Sequence, residues 1–161
     1  MLTPENLAAL GVFVLANFAA ASSGAVFRPG AWYAGLAKPP WTPPNIAFPI
    51  VWTILFILNA AAGWLVWLAG GMDAAGALAL YGASLVINAS WSAVFFGQRR
   101  MGLGFVIVVT LWLSLVAIMA AFAPFSAAAA WMLAPYLLWV TIASALNLRV
   151  WQLNPQARAA A

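Results

Sequence analysis

The chain has 161 residues, of which 67% are hydrophobic and 5% are charged, and its formal net charge is +4. A soluble domain of this length carries several times more charge, so the composition indicates an integral membrane protein with one domain over residues 1–161. Because Cys and His are both absent, disulfides, thiol catalysis and the usual metal and haem-iron ligands are excluded. We therefore expect no metal site.

Five apolar segments are each long enough to cross a lipid bilayer as a helix, which takes about 20 residues. They cover residues 7–26, 46–69, 74–97, 101–122 and 127–151. The sequence thus predicts an all-α bundle of five transmembrane helices. Pro135 lies inside the fifth segment, where it removes one backbone hydrogen bond, so we expect a kink at this point.

The basic residues fall in the loops after the first and third predicted helices and in the tail. They are Arg28, Lys38, Arg99, Arg100, Arg149 and Arg158. The positive-inside rule then places the C-terminus in the cytoplasm and the N-terminus outside, and such sided charge favours a bacterial inner membrane. We interpret these charges as a topology signal and expect no nucleic-acid binding.

The predicted helices carry no Asp, Glu, Lys or Arg near their middles. Proton relays, ion-coupled transporters and voltage sensors normally need such intramembrane charges, so these functions are disfavoured. The chain also has no pair of carboxylates for acid–base catalysis and no Ser–His arrangement. No conventional catalytic constellation is therefore present.

Three predicted helices each align large aromatic side chains with polar or small ones along one face. Steps of three and four residues align Phe48, Trp52, Phe56 and Asn59; Tyr81, Ser84, Asn88, Trp91 and Phe95; and Pro135, Trp139, Ala143 and Leu146. Such faces are typical of ordinary helix packing, in which polar groups pair across helices. They are equally typical of an apolar ligand cavity with a few oriented polar groups. The spacing alone leaves both interpretations open.

A second face of the third predicted helix consists of small residues, namely Ala75, Ala79 and Ala83. Small residues let helices approach closely. Ala79 and Asn88 differ by about 180° around the helix axis, so one face can meet a ligand while the other meets a partner subunit. This stripe predicts the contact face of a homodimer.

The loop at 28–45 combines prolines with aromatic side chains. The residues that define it are Trp32, Tyr33, Pro39, Trp41, Pro43 and Pro44. Proline fixes φ and disfavours helix at the residue before it, so we expect an extended and stiff segment. The loop is either a rigid connector anchored at the membrane interface or a lid over the end of the bundle.

Six different motifs follow one another through nearly the whole chain. They are Gly24 with Phe27-Arg-Pro-Gly-x-Trp-Tyr33, Leu36-x-Lys-Pro-x-Trp-x-Pro-Pro44, Phe48-x3-Trp52, Asn88-x2-Trp91-x3-Phe95-Phe96, Pro135-Tyr-x2-Trp139, and Leu146-Asn147 echoed by Leu153-Asn154. In this combination the sequence resembles the tryptophan-rich sensory protein / translocator protein family, TspO, once called the peripheral benzodiazepine receptor. The resemblance implies a dimeric five-helix bundle that binds porphyrins, haem, isoquinoline carboxamide and benzodiazepine drugs and, in some members, cholesterol.

The resemblance also implies which residues form the ligand pocket. By motif, Trp52 and Trp139 match its tryptophans, Asn88 matches its amide and Tyr33 matches its lid tyrosine. Together with the aligned faces, this predicts a ligand site formed by Tyr33, Phe48, Trp52, Asn88, Trp91, Phe95, Trp139 and Ala143. The family's cholesterol pattern expects a Tyr shortly before a basic residue in the last helix, and residues 146–149 contain none, which counts against sterol binding.

Three functions follow as hypotheses. The first is a receptor or carrier for protoporphyrin IX, haem and related planar ligands, which needs no cofactor and holds haem by stacking and shape. From charge alone, Arg28 or Lys38 can meet the propionates. The second is a light-dependent porphyrin-degrading enzyme, a chemistry implied by the resemblance, with Trp52 and Trp139 as candidate electron donors. The third is a structural or regulatory membrane partner with no saturable ligand.

Overall fold

The computed structural model describes residues 3–159, and the side chains of 158 and 159 lie outside that description. The basic group of Arg158 is therefore not placed. The described residues form helices joined by turns and loops and contain no strand. The helices are α1 (Pro4–Val26), α2 (Ala31–Ala34), α3 (Ala47–Gly70), α4 (Ala75–Ser92), α5 (Met101–Phe122), α6 (Ala127–Met132), α7 (Ala134–Leu153) and α8 (Pro155–Ala159). A 3₁₀ turn (Gly71–Ala74) joins α3 to α4, and a π-helical turn (Ala93–Gly97) extends α4.

Within the described residues, four helical stretches are long and apolar enough to cross a membrane. They are Pro4–Val26, Ala47–Gly97, Met101–Phe122 and Ala127–Leu153. The chain is thus a multi-pass integral membrane protein. The predicted number of five spans is not confirmed by this count, because α3, the 3₁₀ turn and α4 follow one another as a single helical stretch of 51 residues.

The long stretch folds back on itself at the 3₁₀ turn. Gly71 has a φ of 50°, in the left-handed region that glycine enters without a Cβ clash. Beyond the turn, the Tyr81 hydroxyl lies 3.2 Å from the backbone oxygen of Asn59 and donates a hydrogen bond to it. Helices α3 and α4 therefore lie side by side instead of forming one straight rod.

The helices are arranged around an interior space. Helix α1 packs against α3 and α4, and α5 packs against α4 and α7. Across the interior, aromatic side chains of α3 and α7 meet, with the rings of Trp52 and Tyr136 5.7 Å apart. At the other end of the bundle, α1 approaches α3 closely because Gly63 has no side chain; a Cβ there would lie 2.8 Å from Phe13 Cδ1.

The last predicted helix is divided in two. Helix α6 ends at Met132 and α7 begins at Ala134, with Pro135 as its second residue. The expected disturbance at Pro135 is confirmed, and it takes the form of a break at Leu133 that divides the predicted segment 127–151 into two helices. Proline is well tolerated in the first turn of a helix because its missing N–H has no partner there in any case.

The loop at 28–45 is not extended throughout, which corrects the expectation from its prolines. Residues 31–34 lie between Pro29 and the later prolines and form the short helix α2. The loop contacts the bundle unevenly: Pro39 is buried and Trp32 is half-buried, while Trp41 keeps 47% of its surface exposed. A helical turn is allowed here because none of residues 31–34 is followed directly by a proline.

Candidate functional site

A cavity of about 1070 Å³ lies between α1, α3, α4 and α7 and is bordered at one end by the loop at 28–45. Sites for drug-sized ligands have volumes of roughly 300–1,000 Å³. Seven of the eight predicted ligand residues line it, namely Tyr33, Phe48, Trp52, Asn88, Trp91, Phe95 and Ala143. The structure therefore brings together side chains from three helices and a loop, as the aligned faces predict.

Trp139, the eighth predicted residue, lines a neighbouring cavity of about 30 Å³. The two cavities share the walls Phe48, Trp52, Asn88, Trp91 and Ala143. The Nε1 of Trp139 is buried and has no hydrogen-bond partner among the residues that the structure describes. An unpaired buried donor costs free energy, and an acceptor that enters the site and binds this N–H recovers that cost.

One wall of the large cavity is built on the π-helical turn. The backbone N–H of Gln98 donates to the oxygen of Ala93 at 2.9 Å, a step of five residues. Such turns occur often at functional sites because the added residue re-aims the side chains around it. Here Phe95 stacks on Trp91, with centroids 5.1 Å apart and planes at 17°.

The opposite wall is carried by α3 and α7. Trp52 stacks on Phe56 with centroids 5.5 Å apart, and Phe48 meets Trp139 edge to face at 5.6 Å. Rings in such contacts hold one another's orientation. The two walls therefore present flat aromatic surfaces of fixed orientation to the space between α3 and α4.

The polar groups of the site are paired mainly across helices. The amide nitrogen of Asn88 donates to the hydroxyl of Tyr136 on α7. Trp91 Nε1 donates to Asn147 Oδ1 at 3.1 Å, and Asn147 Nδ2 donates to the backbone oxygen of Met101 at 2.9 Å. The spacing left open whether these faces serve helix packing or form a cavity. The structure shows that the same residues do both. The site prediction missed Tyr136 and Asn147, although both fall within the quoted motifs.

A second polar network closes the bundle on the side of α1. Asn17 Nδ2 donates to the Tyr81 hydroxyl at 2.5 Å and to the backbone oxygen of Phe13 at 2.8 Å. Asn17 Oδ1 accepts from Asn59 Nδ2 at 2.8 Å. Asn17 also lines the large cavity. It was not predicted, because α1 carries no aromatic face that would mark it.

The loop places Tyr33 over the end of the cavity. Its ring meets Phe95 and Phe96 edge to face, with centroids 6.1 Å and 5.3 Å away. Burial raises the pKa of Tyr33 above its usual 10.0, so its hydroxyl stays protonated at neutral pH. The tyrosine therefore offers a neutral hydrogen-bonding group at the cavity end.

The two basic residues of the loop have different positions. Lys38 Nζ donates to the backbone oxygens of Tyr33 and Leu36, at 2.6 and 3.1 Å, and lies 4.5 Å from the centroid of the Tyr33 ring. Its charge therefore stabilises the loop itself, which argues against its suggested contact with propionates. Arg28 lines the cavity and is exposed, with its Nε held by the backbone oxygen of Ala25 at 2.7 Å.

A family model described as the TspO/MBR family matches residues 9–152. The chain belongs to this family. The match covers every residue that lines the cavity. The resemblance identified from the six motifs is therefore confirmed.

Curated relatives agree along most of their length. Protein CrtK of Rhodobacter capsulatus is 40% identical over 155 residues, covering 93% of this chain and 95% of that protein. The tryptophan-rich sensory protein of Cereibacter sphaeroides is 40% identical over 151 residues, covering 91% and 94%. The translocator protein of Bos taurus is 36% identical over 151 residues, covering 92% and 86%.

Proposed function

We propose that this TspO/MBR protein is a membrane receptor or carrier for tetrapyrroles, such as protoporphyrin IX and haem, and for related planar hydrophobic molecules. The observation that carries the proposal is the cavity of about 1070 Å³ with aromatic walls from α3 and the end of α4. Its volume is sufficient for a large planar ligand, and aromatic rings bind extended π-systems favourably. The names of relatives as sensory and translocator proteins agree with such a role.

The contacts of each ligand group follow from the site. Trp52 and Trp91 line the cavity and offer ring surfaces for stacking, and Trp139 adds an N–H for a ligand acceptor. Arg28 stands at the cavity edge, where a propionate carboxylate can pair with it. Haem would be held by shape and stacking, because the chain has no His or Cys. The same surfaces suit isoquinoline carboxamide and benzodiazepine drugs.

The test is a titration of the nanodisc-held protein with protoporphyrin IX in the dark. Porphyrin fluorescence is read alongside quenching of the remaining tryptophans. We expect saturable binding that weakens about tenfold, or about 1.4 kcal/mol, in Trp52→Phe/Trp139→Phe and in Asn88→Ala. Trp131→Phe is the matched control, since Trp131 is 72% exposed and lies outside both cavities.

Two results would contradict the proposal. Binding that never saturates would mean that the porphyrin partitions into lipid. Equal affinity in all variants would place the porphyrin outside the cavity. Either result would favour the alternative of a structural or regulatory partner protein.

A second candidate function is light-dependent porphyrin degradation. It is favoured by one observation: Trp52 lines the large cavity, and Trp139 contacts Phe48 on the same wall. An indole against a photoexcited porphyrin is positioned to donate an electron to it. A porphyrin product that needs both light and protein, and that disappears in Trp52→Phe/Trp139→Phe, would support this function. Equal porphyrin loss with free tryptophan would refute it.

We also propose five membrane spans, with α3 and α4 as separate spans and α6–α7 as one. Helix α4 and its π-turn together measure about 35 Å, enough to cross the hydrocarbon. This topology puts the described basic side chains on one side, which the positive-inside rule assigns to the cytoplasm of a bacterial inner membrane. Because the chain has no Cys, Glu5→Cys, Met72→Cys and Gln98→Cys can each be labelled with an impermeant maleimide. Labelling of the first two and not the third from outside is expected.

The stripe of Ala75, Ala79 and Ala83 is exposed, opposite the buried Asn88. We propose that it forms the homodimer contact, because small residues allow close helix approach in lipid. Ala79→Leu should convert the dimer to a monomer in light scattering. An unchanged mass would place the contact elsewhere.

A further inference from the structure

The loop at 28–45 is attached to the end of α7 through one side chain. The backbone N–H of Ala37 donates to Asn154 Oδ1 at 2.9 Å, and Asn154 Nδ2 donates back to the Ala37 oxygen at 2.9 Å. The two residues are 117 positions apart in sequence. The amide of Asn154 thus pairs with both backbone groups of Ala37, as a neighbouring strand would.

Asn154 is itself held in place. It follows the last residue of α7 and precedes Pro155, which begins α8. Its Nδ2 also donates to the backbone oxygen of Val150 at 2.7 Å, one of the carbonyls that a helix end leaves without an intrahelical partner. The side chain therefore joins the loop to a fixed point on the bundle.

The part of the loop around Ala37 forms a rigid corner. Lys38 binds backbone oxygens on both sides of α2's end, and Pro39 is buried. Tyr33, on α2, lies four residues before Ala37 and borders the large cavity. Holding Ala37 against α7 therefore also holds the Tyr33 ring at the cavity end.

We propose that Asn154 is a positioning residue that latches α2 over the cavity, and that release of this latch admits and releases the ligand. Only the nature of the ligand rests on the proposed function. Release breaks the two hydrogen bonds to Ala37. The bonds from Lys38 to the backbone oxygens of Tyr33 and Leu36 keep α2 and the corner together as they move. The ligand makes no direct contact with Asn154.

The experiment compares wild type with Asn154→Ala and Asn154→Asp. The Asp variant has nearly the same volume, but it loses both donated bonds and sets a carboxylate beside two carbonyl oxygens. If the hydrogen bonds form the latch, both variants weaken it, Asn154→Asp less than Asn154→Ala because its carboxylate still accepts from the Ala37 N–H; if packing alone matters, Asp resembles wild type. Gln156→Ala is the matched control, because Gln156 is an exposed neighbour on α8.

Three measurements are made on each variant. Hydrogen exchange at the Ala37 amide reports the latch directly. The rate at which N-ethylmaleimide labels Ser92→Cys reports access to the cavity without any porphyrin, since Ser92 is buried and lines it. Stopped-flow dissociation of protoporphyrin IX in the dark reports ligand release.

We expect all three rates to rise about tenfold or more in Asn154→Ala, as follows from losing both hydrogen bonds to Ala37, and by a smaller factor in Asn154→Asp, which loses one of them. Association should accelerate as well, so that the Kd changes less than either rate, which a merely distorted pocket would not produce. Unchanged exchange at Ala37 in Asn154→Ala, or faster exchange with unchanged maleimide labelling, would overturn the proposal. If wild type binds no porphyrin, the proposed function fails, while exchange and labelling still decide the latch.

Discussion

Replacing Asn17 with Leu is expected to destabilise the bundle, because Asn17 joins three helices. Leu has the same number and branching of side-chain heavy atoms but removes the bonds to Asn59 and Tyr81, which measure 2.8 Å and 2.5 Å. Interhelical hydrogen bonds in membranes contribute about 0.6 kcal/mol each on average. The buried Asn59 amide also loses its acceptor, and an unpaired buried donor costs about 1–3 kcal/mol. The expected loss of unfolding free energy is therefore about 2–4 kcal/mol.

The assay is an equilibrium unfolding titration in mixed micelles, followed by tryptophan fluorescence. A double-mutant cycle with Asn59→Leu makes the reasoning sharper. The double variant should lose less free energy than the sum of the single variants, because it no longer leaves a buried amide unpaired. Ser22→Ala, also on α1, is the control, since its hydroxyl bonds only the Ala19 oxygen of its own turn and is exposed.

The control should stay within about 0.5 kcal/mol of wild type. A loss below that limit in Asn17→Leu would refute the claim that the network stabilises the bundle. Strict additivity in the cycle would also refute it, because it would mean that Asn17 and Asn59 do not depend on each other.

Three further predictions concern packing, pH and charge. Gly63→Ala should lower the unfolding free energy by about 1–3 kcal/mol, because its Cβ would lie 2.8 Å from Phe13, whereas Gly82→Ala, with no atom within 4 Å, should be neutral or stabilising. Because burial raises the pKa of Tyr33 above 10.0, its contribution to stability is complete below pH 10 and is lost as pH rises through the folded-state value. Thermal unfolding at alkaline pH should show this loss in wild type and less of it in Tyr33→Phe. Arg28→Gln should weaken protoporphyrin IX binding about threefold to tenfold at low salt and leave binding of an uncharged planar drug unchanged; titrations that show equal losses for both would contradict the carboxylate contact.

Periodicity predicted which residues share a face, and the structure agrees at the residues that decide it. Ala79 is exposed and Asn88 is buried, as their separation around α4 requires. The apolar segments likewise predicted helices, because lipid leaves the backbone no other partners. Both inferences depend on neighbours within a few turns of one helix.

Contacts between distant segments were beyond such reasoning. The pairing of Asn154 with Ala37 spans 117 positions, and that of Asn59 with Asn17 spans 42. An amide in a sequence shows that a partner is needed and not which helix supplies it. For the same reason Lys38 could be counted as a charge at the ligand entrance, although it binds the oxygens of its own loop.

The sequence by itself determined the membrane class, the helical segments, the faces that carry tryptophan and the family. Composition and local spacing are sufficient for these because they depend on the solvent and on the helix period. Only the tertiary structure decided that Asn17 and Asn59 close one side of the bundle, that α2 interrupts the proline-rich loop, and that Asn154 holds that loop to α7. These features depend on which surfaces meet when the helices pack, and packing is a property of the whole chain.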